Sequence, residues 1–146
     1  MVHALESIHR LLKTNGSLLD IHPVADVALV KVLNAGKQVF SELYPSESGE
    51  DFRAADRAID LIVERGLFRL DRSTVVDFLT HASSTSELKE FHATADAYDT
   101  RPSEGPVEAR RGLLYSRVDR ALEISGPGAE LVYHEVVRMT HLKPVH

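Results

Sequence analysis

The sequence of 146 residues has no cysteine and no tryptophan, and its aromatic residues are only four Tyr and five Phe. Without cysteine, the chain forms no disulfide, has no thiol nucleophile and offers no cysteine-type zinc ligand. With so few aromatic residues, the core must consist mostly of Leu, Val, Ile and Ala. The first absence excludes thiol catalysis, and the second predicts an aliphatic core.

Long apolar runs are also missing. The longest uninterrupted run has four residues, Val27 to Val30, whereas a membrane-spanning helix needs about 20. The first residues, Met1 to Glu6, show neither the basic start nor the apolar stretch of a signal peptide. We therefore expect a soluble, cytoplasmic protein without a membrane partner.

Positive charge is in deficit. The chain has 17 Lys+Arg against 22 Asp+Glu, which gives a formal net charge of −5, and it contains no basic cluster. Affinity for nucleic acid depends on Lys and Arg that displace counterions from phosphates, so we expect no nucleic-acid partner. The apolar fraction of 43% is sufficient for the core of one ordinary domain.

Hydrophobic periodicity predicts the order α-β-β-β-α-β-α-α-β, which indicates one α+β domain over residues 1–146 with a mostly antiparallel sheet of about five strands and four helices. Asn34 and Gly36 favour a hairpin turn, and Asp99 to Pro106 predicts a flexible surface loop. Phe78 and Met139 are expected in the core. The predicted strands are Ser17–His22, Val27–Leu33, Gln38–Tyr44, Ser73–Thr80 and Glu130–Lys143.

Motifs for phosphate binding and hydrolysis are absent. Gly126-Pro127-Gly128 follows a predicted helix rather than a strand, and Gly36-Lys37 continues into Gln38 where a phosphate-binding loop needs Ser or Thr. No G-x-S-x-G pattern occurs. His134-Glu135 begins like a helical zinc motif, but Arg138 stands where the second histidine is needed. We therefore expect no metal site.

Two Asp/His pairs are the candidate ligand-binding residues. Asp20 and His22 are two apart on a predicted strand, so their side chains leave the same face and can converge on a cation or a proton. Asp77 and His81, four apart, share a face if their strand extends that far. The alternative for the first pair is that it ends a strand near solvent, with Asp20 accepting from a backbone amide.

Other polar residues are interpreted as surface groups. His92 is expected at the surface or rim, together with His3, His9 and His146. Arg110, Arg111, Arg117 and Arg120 are assigned to the solvated face of a helix, where i to i+4 charge pairs explain them better than an anion site does.

The string ALESIHRLLKTNGSLLDIHP, Ala4 to Pro23, resembles part of the class I S-adenosylmethionine-dependent methyltransferases. In that family a helix ending in a pattern like hR.LKpgG leads into the fifth strand of a Rossmann-like sheet, LLldi.P. Ile8 to Lys13 and Gly16 match, whereas Thr14 and Asn15 replace the usual Pro-Gly. The segments that correspond more loosely to the helix before the sixth strand, the sixth strand and the antiparallel seventh are Ala58–Phe68, Ser73–Thr80 and Leu131–Leu142.

The resemblance implies the C-terminal half of such an enzyme, a partial Rossmann-like fold. The family's cofactor site is built from the first four strands, and a chain that begins before the fifth strand has none of them. The resemblance thus implies a protein without its own S-adenosylmethionine site, which would meet that cofactor only if a partner supplied the missing half.

The missing strands would leave an unpaired edge on the strand Ser17 to His22, and such an edge must be covered. The hairpin at Val27 to Tyr44 is one candidate cover, and a second copy of the chain is the other. We therefore expect a homodimer or a protein partner and a non-catalytic or partner-dependent binding domain. The alternative is an independent ligand-binding domain or small enzyme that uses the Asp/His residues.

Overall fold

The computed structural model describes residues 1–96 and 105–146, with the side chains of residues 95 and 96 left aside. Its elements follow the predicted order. A flexible loop was predicted near residues 99–106. Residues 99–104 of this segment lie outside the described residues, and residues 105 and 106 belong to a helix. In chain order, the elements are α1 (Val2–Leu11), β1 (Leu18–Pro23), β2 (Leu29–Asn34), β3 (Lys37–Leu43), α2 (Gly49–Glu64), β4 (Phe68–Ala82), α3 (Thr85–Asp96), α4 (Gly105–Ser125) and β5 (Ala129–Pro144).

The strands form a five-stranded antiparallel sheet in the order β1-β5-β2-β3, with β4 also paired to β5. Residues 137–142 of β5 pair with β1, and residues 129–134 pair with β2. The predicted α+β class, the four helices and the five strands are therefore confirmed. The Rossmann-like origin stays a prediction.

The chain folds as two compact units. Unit 1 comprises Met1–Ala25, Ser48–Asp77 and Val136–His146, and unit 2 comprises Asp26–Glu47 and Phe78–Glu135. Both β4 and β5 contribute residues to each unit. The assignment of residues 1–146 to one domain stays a prediction.

In unit 1, the apolar stripes of α1 and α2 pack against Leu18 and Leu142 of two paired strands. The stripe of α2 includes Ile59 and Ile62, whose three-residue spacing places them on one face of a helix. Burying each such side chain stabilises the fold by about 1.5–3 kcal/mol. The buried residues of this core are Leu5, Ala58, Ile59, Ile62, Phe68 and Leu142.

Strand β1 shows the alternation of a strand that is covered on one face only. Leu18, Asp20 and His22 lie on the covered face, whereas Leu19 and Ile21 remain more than half exposed. In the described part of the chain, β5 is the sole strand that pairs with β1.

The β2–β3 hairpin forms as predicted, but positive φ occurs at Ala35 (49°) and Gly36 (74°) and not at Asn34. Two positive φ angles are typical of the two-residue hairpin turn whose twist matches the strands. This hairpin does not cover the edge of β1, contrary to one expectation. It pairs with β5 instead, from Leu29 opposite His134 to Asn34 opposite Ala129.

In unit 2, α3 and α4 supply helical side chains to a core on β2 and β5. Ser84 caps the start of α3, because the Glu87 N–H donates to Ser84 Oγ at 3.2 Å. The Glu87 carboxylate accepts from the Ser83 N–H at 2.7 Å. The buried residues of this core are Val30, Val32, Tyr44, Leu88, Leu114, Tyr115, Val118, Leu131 and Tyr133.

Strand β4 is longer and more exposed than predicted. It runs for 15 residues, and most of its side chains are exposed. Phe78 was expected in the core but is 53% exposed, and Met139 of β5 is only half-buried. The β-branched and aromatic content of a strand reveals its extended backbone but not whether anything covers it.

Within residues 1–96 and 105–146, none of the helices combines the length and the apolar composition of a membrane span.

Candidate functional site

Asp20 and His22 form a direct pair on the covered face of β1. His22 Nδ1 lies 2.6 Å from Asp20 Oδ2. His22 is only 9% exposed, and the Asp20 side chain is also largely buried. The pair is therefore not a solvated strand end, and Asp20 contacts the imidazole ring.

Two residues that the sequence did not single out complete this cluster. His22 Nε2 lies 3.0 Å from Asp56 Oδ1, and Arg138 Nη1 donates to the same carboxylate oxygen. Asp56 comes from α2, while Arg138 lies directly opposite His22 in the β1–β5 register. We call Asp20, His22, Asp56 and Arg138 the His22 cluster.

The chemistry of the His22 cluster follows from its donors and acceptors. Ionised carboxylates only accept hydrogen bonds, and a neutral imidazole donates from one nitrogen only. Both His22 bonds form together only when the ring carries both protons. The cluster then holds two positive and two negative charges. Such a group can fix a polar ligand, and the His22 ring can pass a proton between Asp20 and Asp56.

Sequence reasoning missed Asp56 and Arg138 for understandable reasons. Asp56 is one of several charged residues that alternate with apolar positions on an amphipathic helix, where a solvated role is the ordinary expectation. Arg138 was noticed only because it interrupts a zinc motif. The pairing of β1 with β5 brings Arg138 to His22, and nothing local in the sequence specifies that register.

A cavity of about 510 Å³ adjoins the cluster within unit 1. Asp56 and Arg138 belong to the His22 cluster and also line the cavity. Thr140 also lines the cavity and is 4% exposed. The remaining lining residues come from α2 and β4: Ile59, Asp60, Val63, Glu64, Leu70, Ser73 and Val75.

The second predicted pair has a different setting. Strand β4 does extend past both Asp77 and His81, yet both side chains are exposed and they fall in different units. His81 Nδ1 lies 3.9 Å from Glu130 Oε2, which is a loose contact between two exposed side chains. A ligand shared by the two Asp/His pairs stays a prediction.

Unit 2 buries two residues that were expected at the surface. His92 is buried, and its Nδ1 lies 2.8 Å from the Tyr115 hydroxyl. Arg111 is also buried: its Nε donates to the Pro45 carbonyl at 3.1 Å and its Nη1 to Glu108 at 2.9 Å. The interpretation of both as solvated groups is wrong. Polarity alone predicted exposure, but His92 Nδ1 and the Arg111 guanidinium find hydrogen-bond partners in the folded chain.

An aromatic cluster surrounds His92. The ring centroids of Tyr44 and Tyr133 lie 4.2 and 4.6 Å from that of His92, and the Arg111 guanidinium lies 5.0 Å from the Tyr44 centroid. Burial raises the pKa of Tyr133, and it also raises the pKa of Glu135. A smaller cavity of about 250 Å³ opens beside His92 and Arg111.

No group of three or more His, Asp or Glu side chains in the described ranges is arranged to hold a metal ion. Comparison of the chain with protein-family models, curated proteins and solved structures finds no match.

Proposed function

We propose that this protein is a small methyltransferase-like interaction domain that has no S-adenosylmethionine site of its own and acts as a homodimer or with a protein partner. In this proposal the protein is cytoplasmic, as its sequence leads us to expect. The observation that carries the proposal is that β1 has one paired edge and an exposed apolar face. This strand pairs only with β5 in the described part of the chain and leaves Leu19 and Ile21 exposed.

The direction of the strands supports the same proposal. The resemblance assigns β1 to the family's fifth strand and β5 to its antiparallel seventh strand. In the structure β1 and β5 run antiparallel, from Leu18 opposite Leu142 to Pro23 opposite Val137. A strand edge with unpaired N–H and C=O groups and apolar side chains is suited to pairing with a strand from another chain.

Light scattering at micromolar concentration tests the homodimer. We expect the unaltered protein to be dimeric and Ile21→Lys to be monomeric, because a charge at this exposed position opposes burial against a second chain. Leu113→Lys, at an exposed apolar position of α4, is the matched control and should remain dimeric. A monomeric unaltered protein contradicts the homodimer.

Calorimetry with S-adenosylmethionine tests the other half of the proposal. We expect no binding to the isolated chain, because the resemblance places the glycine turn and the ribose-binding acid in strands that this sequence does not contain. Saturable heat of binding at micromolar to millimolar cofactor would overturn this expectation.

A second candidate function is an independent ligand-binding domain, and the His22 cluster favours it. Four interacting charged or titratable side chains beside a cavity of about 510 Å³ match the usual make-up of a small-molecule site. We expect His22→Asn to change the set of small molecules that bind without unfolding the protein, as followed by NMR. If the variant binds the same molecules equally well, the cluster has no part in binding.

A further inference from the structure

The walls of the unit 1 cavity are amphipathic. Ile59 and Val63 of α2 face the cavity on one side, and Leu70 and Val75 of β4 line it on the other. Leu70 and Val75 are about half exposed, so they keep apolar surface in contact with water. A ligand with an apolar body would cover that surface and gain free energy from its burial.

The charges at the cavity are unbalanced. Arg138 pairs with Asp56, which leaves the carboxylates of Asp60 and Glu64. Neither Asp60 nor Glu64 forms an ion pair or a side-chain hydrogen bond within residues 1–96 and 105–146. The two residues lie four apart on α2, so both point to the same side of the helix. The uncompensated charge at the cavity is negative.

A hydroxyl inside the cavity points to a ligand independently of these charges. Thr140 lines the cavity and is only 4% exposed. Its Oγ1 makes no hydrogen bond with any described residue. The oxygen retains some accessible surface, so a molecule that enters the cavity can reach it. A polar group of a bound molecule would satisfy it.

We propose that this cavity binds a small organic cation, an amine with an apolar body and a second polar group. The ammonium pairs with Asp60 and Glu64, the apolar body lies against the α2 and β4 side chains, and the polar group bonds to Thr140. A cavity of about 510 Å³ has the volume of a typical small-molecule site. The inference rests on the second candidate function, with which it shares Asp56 and Arg138.

The test is an NMR titration of the ¹⁵N-labelled full chain with tyramine, which carries an ammonium, an aromatic ring and a hydroxyl. The matched probe of opposite charge is 3-(4-hydroxyphenyl)propanoate. We expect saturable shifts of the Val63, Leu70 and Thr140 amides with tyramine and weaker shifts or none with the propanoate. Thr140→Val, which keeps the shape of the side chain, should weaken tyramine binding about threefold through loss of one hydrogen bond.

The double variant Asp60→Asn, Glu64→Gln tests the charge. Both residues are exposed, so the fold should persist, and tyramine binding should weaken about fivefold through loss of two solvated ion pairs. The control, Glu90→Gln with Glu123→Gln, removes two exposed carboxylates of unit 2 and should leave binding unchanged.

The outcomes separate this inference from the function on which it rests. If the propanoate binds as well as tyramine, or if the double variant binds tyramine unchanged, the cavity is a ligand site but not a cation site. In that case only the present inference is wrong. If neither probe shifts any unit 1 amide, and His22→Asn also leaves small-molecule binding unchanged, both the inference and the second candidate function are wrong.

Discussion

Each compact unit buries one histidine among its described residues, and the two have opposite surroundings. His22 of unit 1 lies between two carboxylates beside a large cavity. His92 of unit 2 lies against a tyrosine hydroxyl and several aromatic rings. Charged neighbours and open volume suit a binding site, whereas close ring packing stabilises a core. We therefore assign the larger structural role to His92 and the larger functional role to His22.

The largest expected effect that tests this comparison is the loss of the His92 ring. His92→Ala should lower the free energy of unfolding by about 3 kcal/mol, because it leaves a void among aromatic rings and removes the partner of the Tyr115 hydroxyl. Urea unfolding measures this loss. The exposed His81→Ala should change stability by less than about 0.5 kcal/mol. Equal losses in the two variants would show that burial of His92 contributes nothing.

A smaller loss of stability is expected from the other histidine. His22→Asn should cost about 1–2 kcal/mol, because Asp20 and Asp56 lose the imidazole as a hydrogen-bond partner while the variant side chain keeps one N–H donor group. The same urea titration checks this value. If His22→Asn destabilises the protein more than His92→Ala does, the assignment of roles is reversed.

The hydrogen bond of His92 is separable from its packing. Tyr115→Phe removes only the hydroxyl that lies 2.8 Å from His92 Nδ1 and should cost about 1 kcal/mol. Thermal unfolding of this variant beside His92→Ala measures the two contributions. If Tyr115→Phe costs as much as His92→Ala, the hydrogen bond and not the ring packing dominates.

The smallest effect is a pH dependence near the aromatic cluster. Burial raises the pKa of Glu135, and the Tyr133 hydroxyl, 3.5 Å away, opposes this shift weakly. A carboxyl whose pKa is higher in the folded state stabilises the fold at low pH, and that stabilisation is lost as the pH rises through the folded pKa. Glu135→Gln should therefore gain stability relative to the unaltered protein between about pH 4 and pH 6. Parallel urea curves across that range would contradict this expectation.

Alternation along β1 was enough to predict that Asp20 and His22 share a face, because side chains of a strand point alternately to its two sides. Sequence reasoning wrongly placed Phe78 in the core. Strand β4 is largely exposed, and its amino-acid composition does not reveal this exposure. Sequence reasoning was also wrong about His92 and Arg111, because both are buried through contacts with residues far away in the sequence, Tyr115 and Pro45 among them.

The sequence by itself determined the class of fold, the order of its elements and the place of the hairpin turn between β2 and β3. These depend on periodicity, caps and local backbone preferences, which neighbouring residues specify. Only the tertiary structure decided that Asp56 and Arg138 meet His22 and that the hairpin pairs with β5 and not β1. Pairing of β1 with β5 joins residues more than a hundred positions apart in the sequence. Which side chains meet at such a separation depends on the strand register and on packing, and neighbouring residues do not specify these.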